Sequence, residues 1–258
     1  MTGERHGTVV LTGVGRRRSI GSAIAVGLAE DGWDLLLNYW APYDARLGYE
    51  RGGNDPEAVA EECRRLGSRV ELVEADLADP EAPARLIEHA ATGGLRALVM
   101  SHGESVDSSI LTTSLQSWER HFAVNARAAW LLIRAFAEHL PPVEPAGGEV
   151  TGRIVALTSD HTPHNLPYGA SKGALDRVVI AAAVELGRRG VRANVINPGG
   201  IDTGWMSQEI RDAGIAQTPA GRLGTGADTA NLVRFLLSER GSWINGQLLY
   251  SNGGFRTP

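Results

Sequence analysis

Short apolar segments alternate with longer amphipathic segments along the whole chain, and this alternation most constrains how the chain can fold. Several of the short segments are apolar at consecutive positions, which is typical of strands covered on both faces. They lie at 8–13, 33–39, 69–76, 95–101, 152–159, 191–199 and 246–254. Helical patterns separate them, near 20–31, 56–66, 80–92, 114–140, 168–189 and 226–238. This order predicts an α/β fold in which a doubly wound parallel sheet carries helices on both faces.

The length of 258 residues suits one α/β domain with one large hydrophobic core. The sequence contains no evident internal repeat or linker, so we expect a single domain over residues 1–258. Two stretches, 38–56 and 202–224, fit neither the strand nor the helix pattern. We interpret both as surface loops, and the glycines and proline of the second are typical of a mobile flap.

The charge and cysteine content exclude several functional classes. A net charge of −5 gives no general basic field for nucleic acid or for an anionic membrane. The single cysteine, Cys63, cannot form an internal disulfide and is expected to pack on a helix, which favours a reducing compartment. No apolar run reaches the roughly 18 residues that a membrane helix needs. We therefore expect a cytoplasmic protein without a metal site.

A tyrosine and a lysine stand four residues apart at the start of a predicted helix. Lys172 is the only lysine of the chain, since the other basic residues are arginines, and Tyr168 is one of five tyrosines. They begin a helical stripe whose later members are apolar: Leu175, Val179, Ala182 and Leu186. A buried ammonium beside a phenol favours the phenolate, so we expect the pKa of Tyr168 to fall from about 10 towards neutrality. Such a phenol can act as a general acid or base, and an arginine, whose charge is spread over a wide fork, would be a poor substitute for the lysine.

A glycine-containing loop follows the first predicted strand and opens a helix. In this context its backbone N–H groups and the helix N-terminus are suited to a pyrophosphate, as in a Rossmann-type dinucleotide site. The candidate residues are Gly13, Gly15, Arg16, Arg17, Arg18, Ser19, Ile20 and Gly21. The second strand ends at Asn38 and Tyr39 without the carboxylate that an NAD site requires. With three arginines facing this position, we expect NADPH rather than NADH; the alternative is that the arginines are solvated.

Several segments together resemble the short-chain dehydrogenase/reductase family over almost the whole chain. They are "TG" after the first strand, "ADL", "VNARAAWLL", "IVALTS", "YGASK", "INPGGIDT" and "SWINGQLLYSNGG". The resemblance implies that Tyr168 is the proton donor, that Lys172 binds the nicotinamide ribose, and that Ser159 hydrogen-bonds the substrate carbonyl. Asn125 matches the fourth catalytic position, where a water relays protons to the lysine; the alternative is a hydrogen-bonded core asparagine.

The same resemblance implies further cofactor contacts and an assembly. Asp76 and Leu77 match the pair that contacts adenine, and Tyr39 lies at the end of the second strand near the ribose. Ser101, His102 and Gly103 replace the usual Asn-Ala-Gly. The segment that holds the carboxamide corresponds to Pro198, Gly199, Ile201 and Thr203. The family usually forms homotetramers through its two long central helices and the C-terminal strand, so we expect a homotetramer.

Two departures from the family pattern leave alternatives open. The glycine loop is two residues longer than usual, like that of divergent enoyl-acyl-carrier-protein reductases, but those place the lysine seven residues after the tyrosine, where this chain has Leu175. The loop between Ser159 and Tyr168 is shorter than usual and carries His161 and His164. We expect an NADPH-dependent carbonyl reductase, similar in broad pattern to 3-oxoacyl-acyl-carrier-protein reductases. The alternatives are an enoyl reductase and a catalytically silent nucleotide sensor.

Overall fold

A computed structural model of the chain describes residues 6–46, 48, 55–140, 149–204 and 206–255. Within them seven strands form one parallel sheet in the order β3-β2-β1-β4-β5-β6-β7. Their bounds are β1 Thr8–Thr12, β2 Asp34–Tyr39, β3 Val70–Glu74, β4 Leu95–Met100, β5 Gly152–Leu157, β6 Val191–Asn197 and β7 Leu248–Tyr250. This confirms the predicted doubly wound parallel sheet.

Helices cover both faces of the sheet. They are α1 Ile20–Glu30, α2 Ala41–Arg46, α3 Asp55–Arg65, α4 Ala82–Ala91, α5 Leu115–His121, α6 Ala128–His139, α7 Leu166–Glu185, α8 Gln208–Gln217 and α9 Gly226–Leu237. A π-helical turn, Phe122–Arg127, joins α5 to α6. Among the described residues, none of the helices combines the length and the apolar character that crossing a membrane requires.

The core consists of two apolar layers, one on each face of the sheet. One layer packs α4, α6 and α7 on the sheet, with Phe136 and Leu132 fully buried. The other packs α1, α3 and α9, with Ile24 and Leu28 fully buried. Strands β1 and β5 are buried at every position, because both of their faces are covered. The edge strand β3 is only partly buried.

The order of the strands fixes where a ligand can bind. The chain runs outward from β1 through β2 to β3 on one side and returns through β4 on the other. In open parallel sheets the crevice for ligands lies beyond the carboxyl ends of the strands, where this reversal occurs. That crevice is the place where the glycine loop after β1 and the segments after β2, β3, β4, β5 and β6 meet.

Two helices and one irregular turn differ from the sequence prediction. The predicted loop 38–56 contains α2, although residues 47 and 49–54 lie outside the described part of the chain. The predicted flap 202–224 contains α8, and Trp205 within it is likewise not described. The helix predicted over 114–140 is interrupted by the π-helical turn, where the Ala128 N–H bonds to the Ala123 carbonyl five residues back.

Candidate functional site

The glycine loop forms a tight cradle at the start of α1. Ser19 caps the helix, since its hydroxyl accepts a hydrogen bond of 3.0 Å from the Ser22 N–H. Gly13 has a positive φ of 82°, and a Cβ there would lie 2.6 Å from the His102 nitrogen. A Cβ at Gly21 would lie 2.5 Å from the Gly13 carbonyl oxygen. Only glycine permits this close approach, and the first turn of α1 has no acidic side chain to repel an anion. The loop therefore fits the pyrophosphate of a dinucleotide.

A carboxylate lies against this loop that the sequence prediction missed. Asp44 on α2 is 5% exposed, and its Oδ1 lies 3.2 Å from the Arg16 Nε. A Cβ at Gly15 would collide with its Oδ2. The sequence prediction considered only the end of β2, but α2 folds back and brings Asp44 to the same part of the crevice. β2 itself ends without a carboxylate, as expected, but α2 supplies one that the NADPH expectation did not consider.

A network of charges joins α2 to the segment after β4. Glu104 is 2% exposed, and its carboxylate bonds to Arg46 of α2 and to Arg120 of α5, the latter at 3.2 Å. Arg120 also bonds to Asp76 at 2.7 Å. A buried carboxylate is tolerated when it is paired in this way. The network joins α2 to Asp76, which lines the crevice.

His102 is uncharged, and its two hydrogen bonds fix the segment that follows β4. Its Nδ1 lies 2.6 Å from the Thr12 hydroxyl and its Nε2 lies 3.0 Å from the Val124 carbonyl oxygen. Because a carbonyl only accepts, Nε2 carries the proton and Nδ1 accepts from Thr12. Burial, with the nearby charge of Lys172, lowers the pKa of His102 to about 3. The imidazole therefore ties the end of β1 to the π-helical turn without carrying charge.

Three side chains meet where β5 ends and α7 begins. The Ser159 hydroxyl lies close enough to the Tyr168 phenol to lower its pKa, and it accepts a hydrogen bond of 3.1 Å from the His161 N–H. The Lys172 Nζ lies 5.8 Å from the centre of the Tyr168 ring and donates to the carbonyl oxygens of His102 (3.2 Å) and Leu157 (2.9 Å). Lys172 is 4% exposed, which agrees with its place on the buried stripe of α7. Thr158, next to Ser159, instead bonds back to the Lys172 carbonyl at 3.4 Å.

The pKa values at this site differ from the expectation. Burial raises the pKa of Tyr168 to about 12, although the hydrogen bond with Ser159 acts in the opposite direction. Burial lowers the pKa of Lys172 to about 8, and the nearby charge of Asp176 opposes that decrease. The cost of burying the phenolate therefore dominates the pKa of Tyr168, and the expected decrease towards neutrality is not found. Near neutral pH the phenol is protonated and most of the lysine is charged.

Asn125 lies in the π-helical turn, 1% exposed, with its amide fully bonded to protein. Its Nδ2 donates to the Glu104 carbonyl (2.9 Å) and to the Ser171 hydroxyl (2.8 Å), and its Oδ1 accepts from the Glu104 N–H (2.7 Å). A Cβ at Gly103 would lie 3.7 Å from both the Asn125 Oδ1 and the Lys172 Nζ. Asn125 thus holds the segment after β4 close to Lys172.

The short loop between Ser159 and Tyr168 is supported by the segment after β4. The Ser108 N–H bonds to the His164 carbonyl at 3.0 Å, and the Leu166 N–H bonds to the Ser108 carbonyl at 3.2 Å. His164 has a φ of 63°, a left-handed conformation that is uncommon outside glycine. His161 and His164 are both exposed. The short loop and the segment after β4 therefore form this side of the site together, and it is not left open.

Comparison with known proteins agrees with this architecture. The family model described as "Enoyl-(Acyl carrier protein) reductase" matches residues 13–256. The chain is 33% identical to the short-chain dehydrogenase/reductase FrzI of Cladobotryum sp, over 94% of each chain. The chain is a short-chain dehydrogenase/reductase. It is also 33% identical to the NADPH-dependent aldehyde reductase-like chloroplastic protein of Arabidopsis thaliana, over 93% of this chain and 92% of that one.

A solved structure extends the likeness of this short-chain dehydrogenase/reductase to three dimensions. A blue fluorescent protein from a metagenomic library, crystallised with NADPH, superposes with a TM-score of 0.83 at 28% identity, covering 98% of this chain and 99% of the other. The family membership makes the protein an NAD(P)-dependent oxidoreductase. Its fold is that of the family's Rossmann-type proteins.

Most of the residues predicted for the site of this short-chain dehydrogenase/reductase line one cleft. These are Gly13, Gly15, Arg16, Ser19, Ile20, Gly21, Tyr39, Asp76, Leu77, Ser101, His102, Gly103, Tyr168, Lys172, Pro198 and Thr203. Arg17 and Arg18 are exposed instead, and the lining does not include Asn125, Ser159, Gly199 or Ile201. Lining residues that the sequence did not predict include Trp40, Tyr43, Asp44, Arg120 and Thr158. Of these, α2 supplies Tyr43 and Asp44, for which the sequence offered no periodic signal.

Proposed function

We propose that the chain is an NADPH-dependent reductase that converts a ketone or another carbonyl group to an alcohol, with Tyr168 as the proton donor. The observation that carries this proposal is the arrangement at the start of α7, where the Ser159 hydroxyl lies near the Tyr168 phenol and the Lys172 Nζ lies 5.8 Å from the centre of its ring. The phenol lines the same cleft as the glycine loop. This shared lining supports a proton donor beside a dinucleotide site.

Each side chain of this group has a defined task in the proposed reaction. The nicotinamide supplies a hydride to the carbonyl carbon. The hydroxyls of Ser159 and Tyr168 bind the carbonyl oxygen, and Tyr168 transfers its proton to that oxygen as negative charge develops on it. The raised pKa of Tyr168, about 12, keeps the phenol protonated until that moment. The Lys172 ammonium stabilises the phenolate that remains.

The cofactor contacts follow the cleft. We assign the pyrophosphate to the glycine loop, the adenine to Asp76 and Leu77, and the nicotinamide side to Ser101, His102, Gly103, Pro198, Gly199, Ile201 and Thr203. Lys172 is assigned to the ribose of the nicotinamide, and Asn125 to a proton relay through the segment that it holds. The role of Lys172 agrees with its position between the cleft and the carbonyls of His102 and Leu157.

NADPH is the proposed form of the cofactor because Arg16 lines the cleft next to the glycine loop, where a 2′-phosphate would need a positive charge. The structurally similar metagenomic protein was crystallised with NADPH. Replacement of Arg16, Arg17 and Arg18 by alanine tests this proposal. The unmutated protein is expected to bind NADPH more tightly than NADH, and the triple variant to lose most of that difference. Equal dissociation constants for the two cofactors in the unmutated protein would contradict the proposal.

An enoyl reductase is the second candidate. The length of the glycine loop favours it, as does the description of the matching family model. The spacing of four residues between Tyr168 and Lys172 favours the carbonyl reductase. Oxidation of NADPH and NADH should be followed with ketones, β-ketoacyl thioesters, quinones and enoyl thioesters. Turnover of enoyl thioesters alone would replace the proposal, and the absence of turnover on all four classes, with cofactor binding retained, would indicate a nucleotide sensor.

We further propose that the protein is one cytoplasmic domain, residues 1–258, that forms a homotetramer. Large apolar side chains are exposed on the two central helices, Trp130 on α6 and Val184 on α7. Others are exposed near the C-terminal strand: Phe235, Trp243 and Tyr250. Such side chains suit faces that pair with further copies. Sedimentation velocity gives the assembly directly, and a monomer at micromolar concentration would exclude the tetramer.

A further inference from the structure

The short helix α2 is anchored at both ends, so the side chains between its ends have fixed positions. At its N-terminus the Ala41 N–H donates to the Glu74 carboxylate of β3 at 3.1 Å. At its C-terminus Arg46 bonds to the buried carboxylate of Glu104 and lies over the Tyr43 ring, 5.4 Å from its centre. Asp44 sits between these anchors. Its carboxylate is therefore a built part of the cleft rather than a surface group that happens to reach it.

Asp44 and Arg16 form an ion pair at the place that decides between the two nicotinamide cofactors. In this fold the glycine loop and the end of the second strand flank the adenosine ribose, whose 2′-position carries a hydroxyl in NADH and a phosphate in NADPH. Asp44 lies five residues after the end of β2 and touches the loop at Gly15. Its side chain is 7% exposed and that of Arg16 is 23% exposed. Both residues line the cleft.

We propose that Asp44 limits the selectivity for NADPH by acting as an internal anion that competes with the 2′-phosphate for Arg16. This inference rests on the proposed function, which assigns the 2′-phosphate to Arg16. A phosphate bound there brings a second negative charge close to the Asp44 carboxylate, where burial leaves little water to screen the repulsion. Binding of NADPH therefore requires the Arg16–Asp44 pair to loosen, whereas NADH imposes no such demand.

The direct test is the variant Asp44→Asn, which keeps the shape of the side chain and removes its charge. Titration calorimetry should measure the binding of NADPH, NADH, 2′,5′-ADP and 5′-AMP. We expect NADPH and 2′,5′-ADP to bind at least about tenfold more tightly to the variant, since a charged hydrogen-bonding partner of Arg16 has been released. The affinities for NADH and 5′-AMP should stay unchanged. Asp31→Asn is the matched control, because Asp31 pairs with Arg234 at the opposite end of α1.

A double-mutant cycle with Arg16→Ala separates competition from a general change of charge. If Asp44 acts through Arg16, the gain from Asp44→Asn disappears in the Arg16→Ala background. A gain of equal size in that background would overturn the inference, as would an unchanged affinity for 2′,5′-ADP in Asp44→Asn. A weaker affinity for NADH without any gain for the phosphorylated ligands would also overturn it, because the carboxylate would then serve the ribose hydroxyls.

The same data distinguish failure of this inference from failure of the proposed cofactor. If the unmutated protein binds 2′,5′-ADP no better than 5′-AMP and Arg16→Ala changes neither, the assignment of NADPH fails. If the unmutated protein prefers 2′,5′-ADP through Arg16 and Asp44→Asn has no effect, only the role of Asp44 fails. Circular dichroism and thermal unfolding establish that each variant is folded before it is titrated.

Discussion

Asp176 follows Lys172 by one helical turn on α7, and the charge of its carboxylate raises the pKa of that lysine. Burial raises the pKa of Asp176 and the nearby Thr158 hydroxyl acts in the opposite direction. The Asp176 Oδ1 is buried and has no hydrogen-bond partner among the described residues. The other groups that face Lys172 are the neutral His102 on β4's C-terminal extension and the protonated Tyr168, so Asp176 is the main opposing charge there. The charge of the exposed Arg177 lowers the pKa of Asp176, and that of the partly buried Asp160 raises it.

Asp176→Asn is therefore expected to change the pH profile of turnover. The proposed reaction needs the charged lysine, whose pKa is about 8, so activity should fall as the pH rises through that value. Loss of the Asp176 charge lowers this pKa, and the alkaline decline of kcat should move to lower pH. Asp176→Glu keeps the charge and should restore the profile. A profile that is identical in the wild type and Asp176→Asn would show that the carboxylate does not act on Lys172.

Tyr168→Phe should remove most turnover and leave cofactor binding intact, because in the proposed reaction the hydroxyl serves the substrate oxygen. The expected decrease in kcat is about 10²- to 10⁴-fold, the usual contribution of a general acid. Cofactor binding by calorimetry and steady-state turnover on the best substrate of the panel measure the two effects. Tyr250→Phe is the control, since Tyr250 is 58% exposed on β7. Near-normal kcat in Tyr168→Phe would refute the assignment of the proton donor.

Lys172→Arg should also be strongly impaired although it keeps a positive charge. Lys172 is 4% exposed, and its Nζ is a compact donor that reaches the carbonyls of His102 and Leu157. The wider, planar guanidinium cannot take the same position. We expect lower kcat together with a lower melting temperature. The reverse exchange on the exposed surface of the same helix, Arg177→Lys, should change neither. Full activity of Lys172→Arg would mean that the site requires only charge.

His102 should make the protein sensitive to acid. Its pKa is lowered from the usual 6.5 to about 3, so the unfolded chain takes up a proton in this range that the folded protein does not. The free energy of unfolding therefore decreases as the pH falls from about 6.5 to about 3, by about 1.4 kcal/mol per pH unit at most for one proton. In His102→Asn this decrease should be less steep in urea titrations. His164→Asn, at an exposed loop position, serves as the comparison, and equal slopes for His102→Asn and wild type would contradict the prediction.

Asp228→Ala should destabilise the start of α9. Asp228 forms a capping box with Thr225, and the Arg222 guanidinium, its main partner, holds the pKa of the Asp228 carboxyl well below its usual range. The variant keeps the Thr225 cap but loses the bond from the Thr225 N–H to the Asp228 carboxylate, which is expected to cost about 1 kcal/mol of the free energy of unfolding at neutral pH. Because the pKa is depressed in the folded state, this stabilisation is present above the usual carboxyl pKa and is lost as the pH falls through the folded value. The deficit of the variant should therefore shrink in acid. Glu88→Ala, exposed on α4, should have little effect at either pH.

The strands and the long helices could be predicted from the sequence because they depend on local apolar periodicity. β1 and β5 are buried on both faces and read as continuous apolar runs. The helix α7 was predicted from its stripe, and Leu175, Val179 and Ala182 are buried as expected. The glycine loop was predicted from its place between a strand and a helix. These features depend on local apolar patterns and on the order of strands and helices along the chain, and the sequence contains both.

The parts of the site that were missed depend on contacts between distant segments. The helix α2 has six residues and no apolar face, and its anchors, Glu74 and Glu104, come from two other strands' ends. Asp44 reaches the glycine loop only because that helix is held in place. The raised pKa of Tyr168 likewise depends on how deeply the phenol is buried. An adjacent charge can be predicted from spacing, but the competing cost of desolvation is set by the packed structure.

Because of the π-helical turn, the number of residues in the continuous helix formed by α5, this turn and α6 determines which side chains face the site. The segment from Leu115 to His139 runs without a break through α5, this turn and α6. Each residue of an α-helix advances by about 100° around the axis. If one residue were deleted within 122–127, Arg120 on one side or Phe136 on the other would rotate away from its partners. The gain or loss of a single codon here would thus be more damaging than most substitutions, and over evolutionary time this helix should vary in composition while keeping its length.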